Sequence, residues 1–279
     1  MASGGPSSSK PAKPWSNLTP EGNKDMQISS YIDKDAARFK RGRGWKINLL
    51  GKNSDVPKVD LQAFRIDMSS NMVLDSHFHI VDQFQIFIAG SGTIGRDRAD
   101  MITAHYADHH TGYGPLVAGP QGMSYLTLRS KTDAGLVKLS EPDIRSRLKP
   151  TKRRHRVSSP ITISIPPVLS HLTEPVIETV MPEKPGDDGM TVKVYRLGNG
   201  MAVSAPDTVG TGGYYILVMN GGLQHEGETL QPWSLVFVAA GEPVPVLHAS
   251  EDGLEALIAV FPVEDSWMQE LGVTCHGSE

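Results

Sequence analysis

Short runs in which apolar and polar residues alternate recur along most of the chain, at a spacing of roughly ten residues. Trp45-Lys46-Ile47-Asn48-Leu49-Leu50 alternates and stops at Gly51. Residues 59–68 alternate again, and 83–89 form an apolar-rich run followed by Gly90-Ser91-Gly92. The stretches from Thr93 onward, 101–107 and 123–129 complete a first set. A second set covers 191–197, 213–219, 233–239, 244–248 and 254–260, with turn signals at Asn220-Gly221-Gly222 and Gly241-Glu242-Pro243. A period of two is the mark of a strand with one buried face. Only 28–41, as a short helix or irregular arm, and 264–271 admit a helical reading. The pattern predicts an all-β chain in two similar halves, each of about six strands closed into a barrel or sandwich.

Between and around these sets the texture changes. Residues 1–44 are expected to be a flexible N-terminal arm, because Gly, Ser, Pro and Lys dominate the first 25 or so positions and little can be buried. Residues 45–135 form the first barrel and 190–265 the second, with 266–279 as a C-terminal tail. Residues 136–189 read as an extended connector, rich in proline and carrying the basic run Lys149-Pro150-Thr151-Lys152-Arg153-Arg154-His155-Arg156. That run reads as a solvated linker in preference to a nucleic-acid patch, since it is short and the chain is acidic overall.

Composition supports this organisation. With 279 residues and 39% hydrophobic content, there is material for two cores. The 28 glycines and 20 prolines punctuate short strands better than long helices. A formal net charge of −4 argues against a general nucleic-acid binder. No apolar run reaches the length of a membrane helix, and the polar first residues lack a secretory apolar core. The single cysteine, Cys275, can form no internal disulfide. A cytoplasmic protein is the expectation.

The candidate chemistry lies at Asp75-Ser76-His77-Phe78-His79-Ile80-Val81-Asp82-Gln83. On a strand, His77 and His79 share a face, and a divalent metal takes neutral imidazole nitrogen. Gln83 and Gln85 follow in the same parity and could add an oxygen ligand. The spacing His77, His79, three residues, Gln83, six residues, Gly90 resembles the first motif of the cupin superfamily, with Gln where the family usually has Glu. The second cupin motif is unmatched. In its place stands His105-Tyr106-Ala107-Asp108-His109-His110-Thr111-Gly112-Tyr113. The resemblance implies a double cupin, two jelly-roll barrels of which the C-terminal one is degenerate. It also implies a third histidine ligand, His110 or His109 ahead of His105. Tyr113 and Gln83 are candidates for direct catalytic roles, and Asp82 and Asp108 for acid–base roles. Phe84, Phe87 and Tyr125 read as core or pocket wall; Arg65 and Arg129 could pair with a substrate carboxylate but read as surface charge in preference. His225 and His248 in the second half read as non-ligands.

A cupin site of this kind implies one divalent ion, Fe(II) first, with Mn, Ni, Cu or Zn as alternatives, and a small-molecule substrate. The expected activity is a dioxygenase acting on a small aromatic or enolisable compound. The alternatives are a non-redox lyase or isomerase, or a non-catalytic small-molecule-binding bicupin. No nucleic acid and no membrane partner is expected, and a homodimer is.

Overall fold

The structure is a computed structural model that describes residues 27–29, 38–51, 61–152 and 154–264. Most of the expected arm and the whole tail at 266–279 lie outside the described residues. In chain order the first strands are β1 (Gln27–Ser29), β2 (Phe39–Arg41), β3 (Gly44–Leu50), β4 (Gln62–Met68), β5 (Val73–Leu74) and β6 (His77–Phe78). They continue as β7 (Gln83–Ile94), β8 (Asp97–Asp100), β9 (Thr103–Ala107), β10 (Leu116–Arg129) and β11 (Val137–Lys138). Next come α1 (Ile144–Arg147), β12 (His155–Val157), α2 (Pro166–Ser170) and β13 (Val176–Met181). The last elements are β14 (Thr191–Leu197), β15 (Ala202–Ser204), β16 (Tyr214–His225), β17 (Glu228–Leu230), β18 (Leu235–Val238) and β19 (Val246–Val260). The predicted all-β class is what forms.

The strands assemble into two large antiparallel sheets. One runs β12-β9-β7-β10-β4-β3-β2, the other β1-β18-β16-β19-β14-β13. Read side by side, the orders match: β7 takes the place of β16, β10 of β19, β9 of β18 and β4 of β14. The outer neighbour of β9 is β12, from the presumed connector, and the outer neighbour of β18 is β1, from the presumed arm. Residues 27–29 and 39–41 are therefore strands, not helix. Their backbone groups complete ladders at sheet edges, which outweighs a local helical pattern. Residues 136–189 likewise give β12 to one sheet and β13 to the other.

The basic run in that stretch is tied down. The Arg154 guanidinium reaches both carboxylate oxygens of Asp108, at 2.9 and 3.1 Å. Arg156 pairs with Asp187 and Lys152 with Asp188. Acidic partners far away in sequence account for these charges, a fact that local composition does not carry.

Long strands here are buried on both faces, so they read as nearly continuous apolar runs. In β16, Tyr215, Leu217 and Met219 join a large shared core, while Tyr214, Ile216 and Val218 fill the interior of the second barrel. In β7, Phe84, Ile86 and Ile88 point to the shared core. Leu126 and Leu128 of β10 and Leu257, Ala259 and Phe261 of the β19 region join them. Phe84 meets Phe261 with ring centroids 5.0 Å apart, and the Tyr215 hydroxyl donates to the Arg129 carbonyl at 2.8 Å. The two halves are thus fused through one hydrophobic layer.

The opposite faces differ in kind. Where the second barrel places Tyr214, Ile216, Val218, Ala256, Ile258 and Val260, the first places Gln83, Gln85, Thr127 and Arg129 beside Phe87 and Tyr125. Buried polar side chains cost free energy unless hydrogen-bonded, so a polar barrel interior marks where the chemistry sits.

Candidate metal centre

The polar interior of the first barrel encloses a cavity of about 440 Å³ lined in part by His77, His79, Gln83, Gln85, Tyr125 and Arg129. His77 and His79 converge, their ring centroids 5.2 Å apart at an interplanar angle of 86°. Phe78 between them points the other way and is wholly buried.

Hydrogen bonds fix both tautomers. His77 Nδ1–H donates to the Asp75 carbonyl at 2.7 Å. His79 Nδ1–H donates to Asp133 Oδ2 at 2.6 Å. Each ring therefore carries its proton on Nδ1 and keeps Nε2 as an acceptor; that of His77 lies 3.0 Å from the Tyr113 hydroxyl. Burial lowers the pKa of His77 and takes that of His79 down to about 4, with the Arg129 charge adding to the effect. Both imidazoles are neutral near pH 7. A backbone carbonyl or a carboxylate on Nδ1 is the arrangement that readies Nε2 to ligate a metal.

A directional chain links the rest. Arg129 donates from Nε and Nη2 to Gln83 Oε1, at 3.1 and 2.8 Å. Those contacts orient the amide so that Gln83 Nε2 donates to the Tyr113 hydroxyl. Tyr113 in turn donates to His77 Nε2, 3.0 Å away. Burial raises the Tyr113 phenol, so it stays protonated. Burial alone would also raise Asp133, but Arg129 and the His79 hydrogen bond together hold it low. Asp133 meets Arg129 Nη1 at 3.2 Å. Arg129 Nη2 also lies 3.1 Å from His79 Nδ1. That contact is between two donors once the nitrogen carries its proton, and Asp133 holds it there.

Several expectations change. Arg129, read as surface charge, is buried and central, because it is compensated by Asp133, Gln83 and Gln62. Gln83 does sit beside the histidines, yet its oxygen is engaged by Arg129 and does not face them. The third histidine does not join. His110 packs on Phe78, the residue pointing away from the cavity, with centroids 5.4 Å apart. His109 is held by Asp82 through its ring and backbone, both at 2.7 Å. Asp82 and Asp108 are thereby engaged outside the cavity. His105 comes nearest, but Tyr113 stands between it and His77, at 4.8 and 4.6 Å from the two rings. Among the described residues no group of three or more His, Cys, Asp or Glu side chains is arranged to hold an ion. The donors that do fit are His77 Nε2 and His79 Nε2, with the Tyr113 oxygen beside the first. Lys46, Asp133 and Gln62 also belong to the site. Lys46 has the inward parity of its strand, which could have flagged it; nothing local marks the other two.

Solved structures share this architecture. A bacterial pirin of Escherichia coli in complex with nickel(II) is 9% identical at a TM-score of 0.52, over 85% of this chain and all of that one. A variant of Bacillus subtilis oxalate decarboxylase is 11% identical at 0.50, over 84% and 76%. The chain has the bicupin fold. The chain also resembles a Nostoc punctiforme protein provisionally named a dioxygenase, at 12% identity and a TM-score of 0.55, over 85% and 82% of the two chains. No protein-family model and no curated protein matches the chain by sequence. At these identities the likeness shows the fold, and function has to be argued from the site. No described helix of the chain is long and apolar enough to cross a membrane.

Proposed function

We propose that the bicupin is a metal-dependent enzyme acting on a small organic molecule in the cavity of its first barrel. One divalent ion, Fe(II) first among Mn, Ni, Cu and Zn, is held there by His77 and His79. The observation that carries this reading is the pair of buried, neutral imidazoles at a cavity wall whose Nδ1 atoms are both engaged as donors, so that each Nε2 is unprotonated, that of His77 accepting from the Tyr113 hydroxyl. A neutral donor set leaves coordination positions open for a substrate. Two donors and a nearby guanidinium hold an ion less tightly than three histidines and a carboxylate would.

When bound, the ion supplies a Lewis acid and, if it is iron, a redox centre. The side chains supply the rest. Tyr113, behind the cavity lining, donates its phenol proton to His77 Nε2 and accepts from the Gln83 amide, which positions the His77 ring. Arg129 places fixed positive charge where a substrate oxyanion would develop, and Asp133 keeps both Arg129 and His79 in position. Oxygenase chemistry on an aromatic or enolisable compound is the leading reaction class. A lyase or isomerase is second, favoured by Lys46, whose amine is held near neutrality in the same cavity and could carry a proton.

Oxygen consumption divides the two. Purified protein supplied with Fe(II) and a panel of phenols and 1,3-dicarbonyls is expected to consume dioxygen with at least one of them. Turnover that proceeds equally well without dioxygen contradicts the oxygenase reading and leaves the proton-transfer one standing.

A further inference from the structure

The cavity wall is electrostatically lopsided. Arg41, Lys46 and Arg129 line it, and Asp133 is the one carboxylate among the described lining residues. His77 and His79 add no charge near pH 7. Asp133 is already shared: its oxygens accept from His79, from Arg129 and from the backbone of Ile80 and Gly135. Basic side chains gathered around a cavity give it a positive field that favours an anionic ligand.

Lys46 is the informative member. It lies on β3 with the inward parity, 3% exposed, beside Ile47 and Leu49, which face the shared core. Its Nζ sits 3.7 Å from the centroid of the Phe64 ring, and the Arg129 guanidinium lies 5.4 Å from the same ring. One aromatic ring thus steadies two cations. Arg41, on the exposed edge strand β2, stands at the mouth. Burial, then Arg41 and Arg129, hold the Lys46 amine down to about 7, the direction a positive local field demands. One side of the remaining wall is apolar, with Ile66, Met68, Met72 and Leu74, and Gln62, Gln85 and Thr127 add neutral polar groups.

We propose that this cavity is an anion subsite in which Lys46 and Arg41, alongside Arg129, bind the carboxylate of a small organic acid whose apolar body lies on the Ile66–Met68 side. The inference rests on the reading of the cavity as a substrate site and names the class of substrate: a carboxylic acid, not a neutral molecule. A cavity of about 440 Å³ accommodates a single-ring acid with room to spare.

Calorimetric titration with benzoate, its neutral isostere benzamide, and inorganic phosphate tests it, on protein whose metal content is measured in the same preparation. Benzoate is expected to bind at least tenfold more tightly than benzamide or phosphate. Lys46→Met should weaken benzoate at least tenfold and leave benzamide unchanged. Arg41→Gln, on an edge strand and harmless to folding, should weaken benzoate several-fold even if the Lys46 variant does not fold. At pH 8 the wild type should take up a proton on binding benzoate, as the anion restores the Lys46 charge against Arg41 of β2, Arg129 of β10 and Asp133 beyond it. Equal affinity for benzoate and benzamide, an equal response to phosphate, or an unchanged Arg41→Gln and Lys46→Met overturns the proposal. Metal-loaded protein that ignores benzoate sinks this inference alone; benzoate binding in protein that holds no metal sinks the metal reading alone.

Discussion

Arg129 and Asp133 form the hinge of the site at the scale of single residues. Asp133 fixes the His79 tautomer and supplies the counter-charge to a buried guanidinium. Asp133→Asn keeps the shape but removes that charge, so it should cost about 3–5 kcal/mol in urea unfolding, the penalty of leaving a buried cation unpaired. In folded protein it should also weaken metal affinity about 10- to 100-fold, because the ligand's supporting partner is lost. Unchanged stability would show that Arg129 finds its compensation elsewhere. Acid should expose the same burial. His79 and His110 are each held to about 4 by desolvation, against an ordinary value of 6.5. Between those values the unfolded chain binds more protons than the folded one, so stability falls as pH drops from about 6.5 to 4. Urea midpoints measured across that window should decline steadily, and a flat profile would contradict the neutral, buried state of these rings. His77 and His79 were legible in the sequence because their spacing and strand parity are local facts. Arg129 reads as surface charge in the sequence, and Asp133 and Lys46 are not singled out, because their partners come from distant strands and a charged residue on a strand is ordinarily at the surface.

At the scale of elements, two glycines do corresponding work. Gly90 sits inside β7 with φ +69°, and Gly221 inside β16 with φ +66°. An added Cβ at Gly90 would run into the Gly122 carbonyl, and at Gly221 into that of Gly253. Each sits next to a register shift against its partner strand, β10 or β19. The glycines read as strand ends in the sequence are thus bulges within long strands: the chain bends and pairing resumes. That is why 244–248 and 254–260 merge into β19, and why β7 runs on to Ile94. Gly90→Ala should cost about 2–5 kcal/mol, combining left-handed backbone strain with a clash against fixed backbone. Gly42→Ala has φ +59° but open space around it, and should cost only about 1–2 kcal/mol. Equal losses in thermal melts of the two variants would remove the bulge argument. Strand existence was readable from period-two patterning; bulges were not, since a glycine that bends a strand and one that ends it look alike in sequence.

At the scale of the whole molecule, the shared hydrophobic layer joins the barrels. Phe84 and Tyr106 from one half meet Tyr215, Phe237 and Phe261 from the other within it. The strands β1 and β12 extend each sheet with chain from outside its own barrel. Calorimetric unfolding should therefore show one transition. Phe84→Ala, which removes a ring from that layer, should cost about 3–5 kcal/mol and lower the transition as a unit. Two resolved transitions would mean that the halves are energetically separate. The division of labour also belongs to this scale. The second barrel fills its interior with apolar side chains and acts as a packing partner, and the first keeps polar ones around a cavity.

The central claim is that this cavity holds a single divalent ion on His77 and His79. Elemental analysis of the purified protein after supply of Fe(II), Mn(II), Ni(II), Cu(II) or Zn(II), repeated on His77→Ala and His79→Ala variants shown to be folded, tests it most directly. The account predicts close to one bound ion per chain in the wild type and a loss of at least tenfold in either variant. A wild type that retains no ion, or variants that retain as much as the wild type, would contradict it.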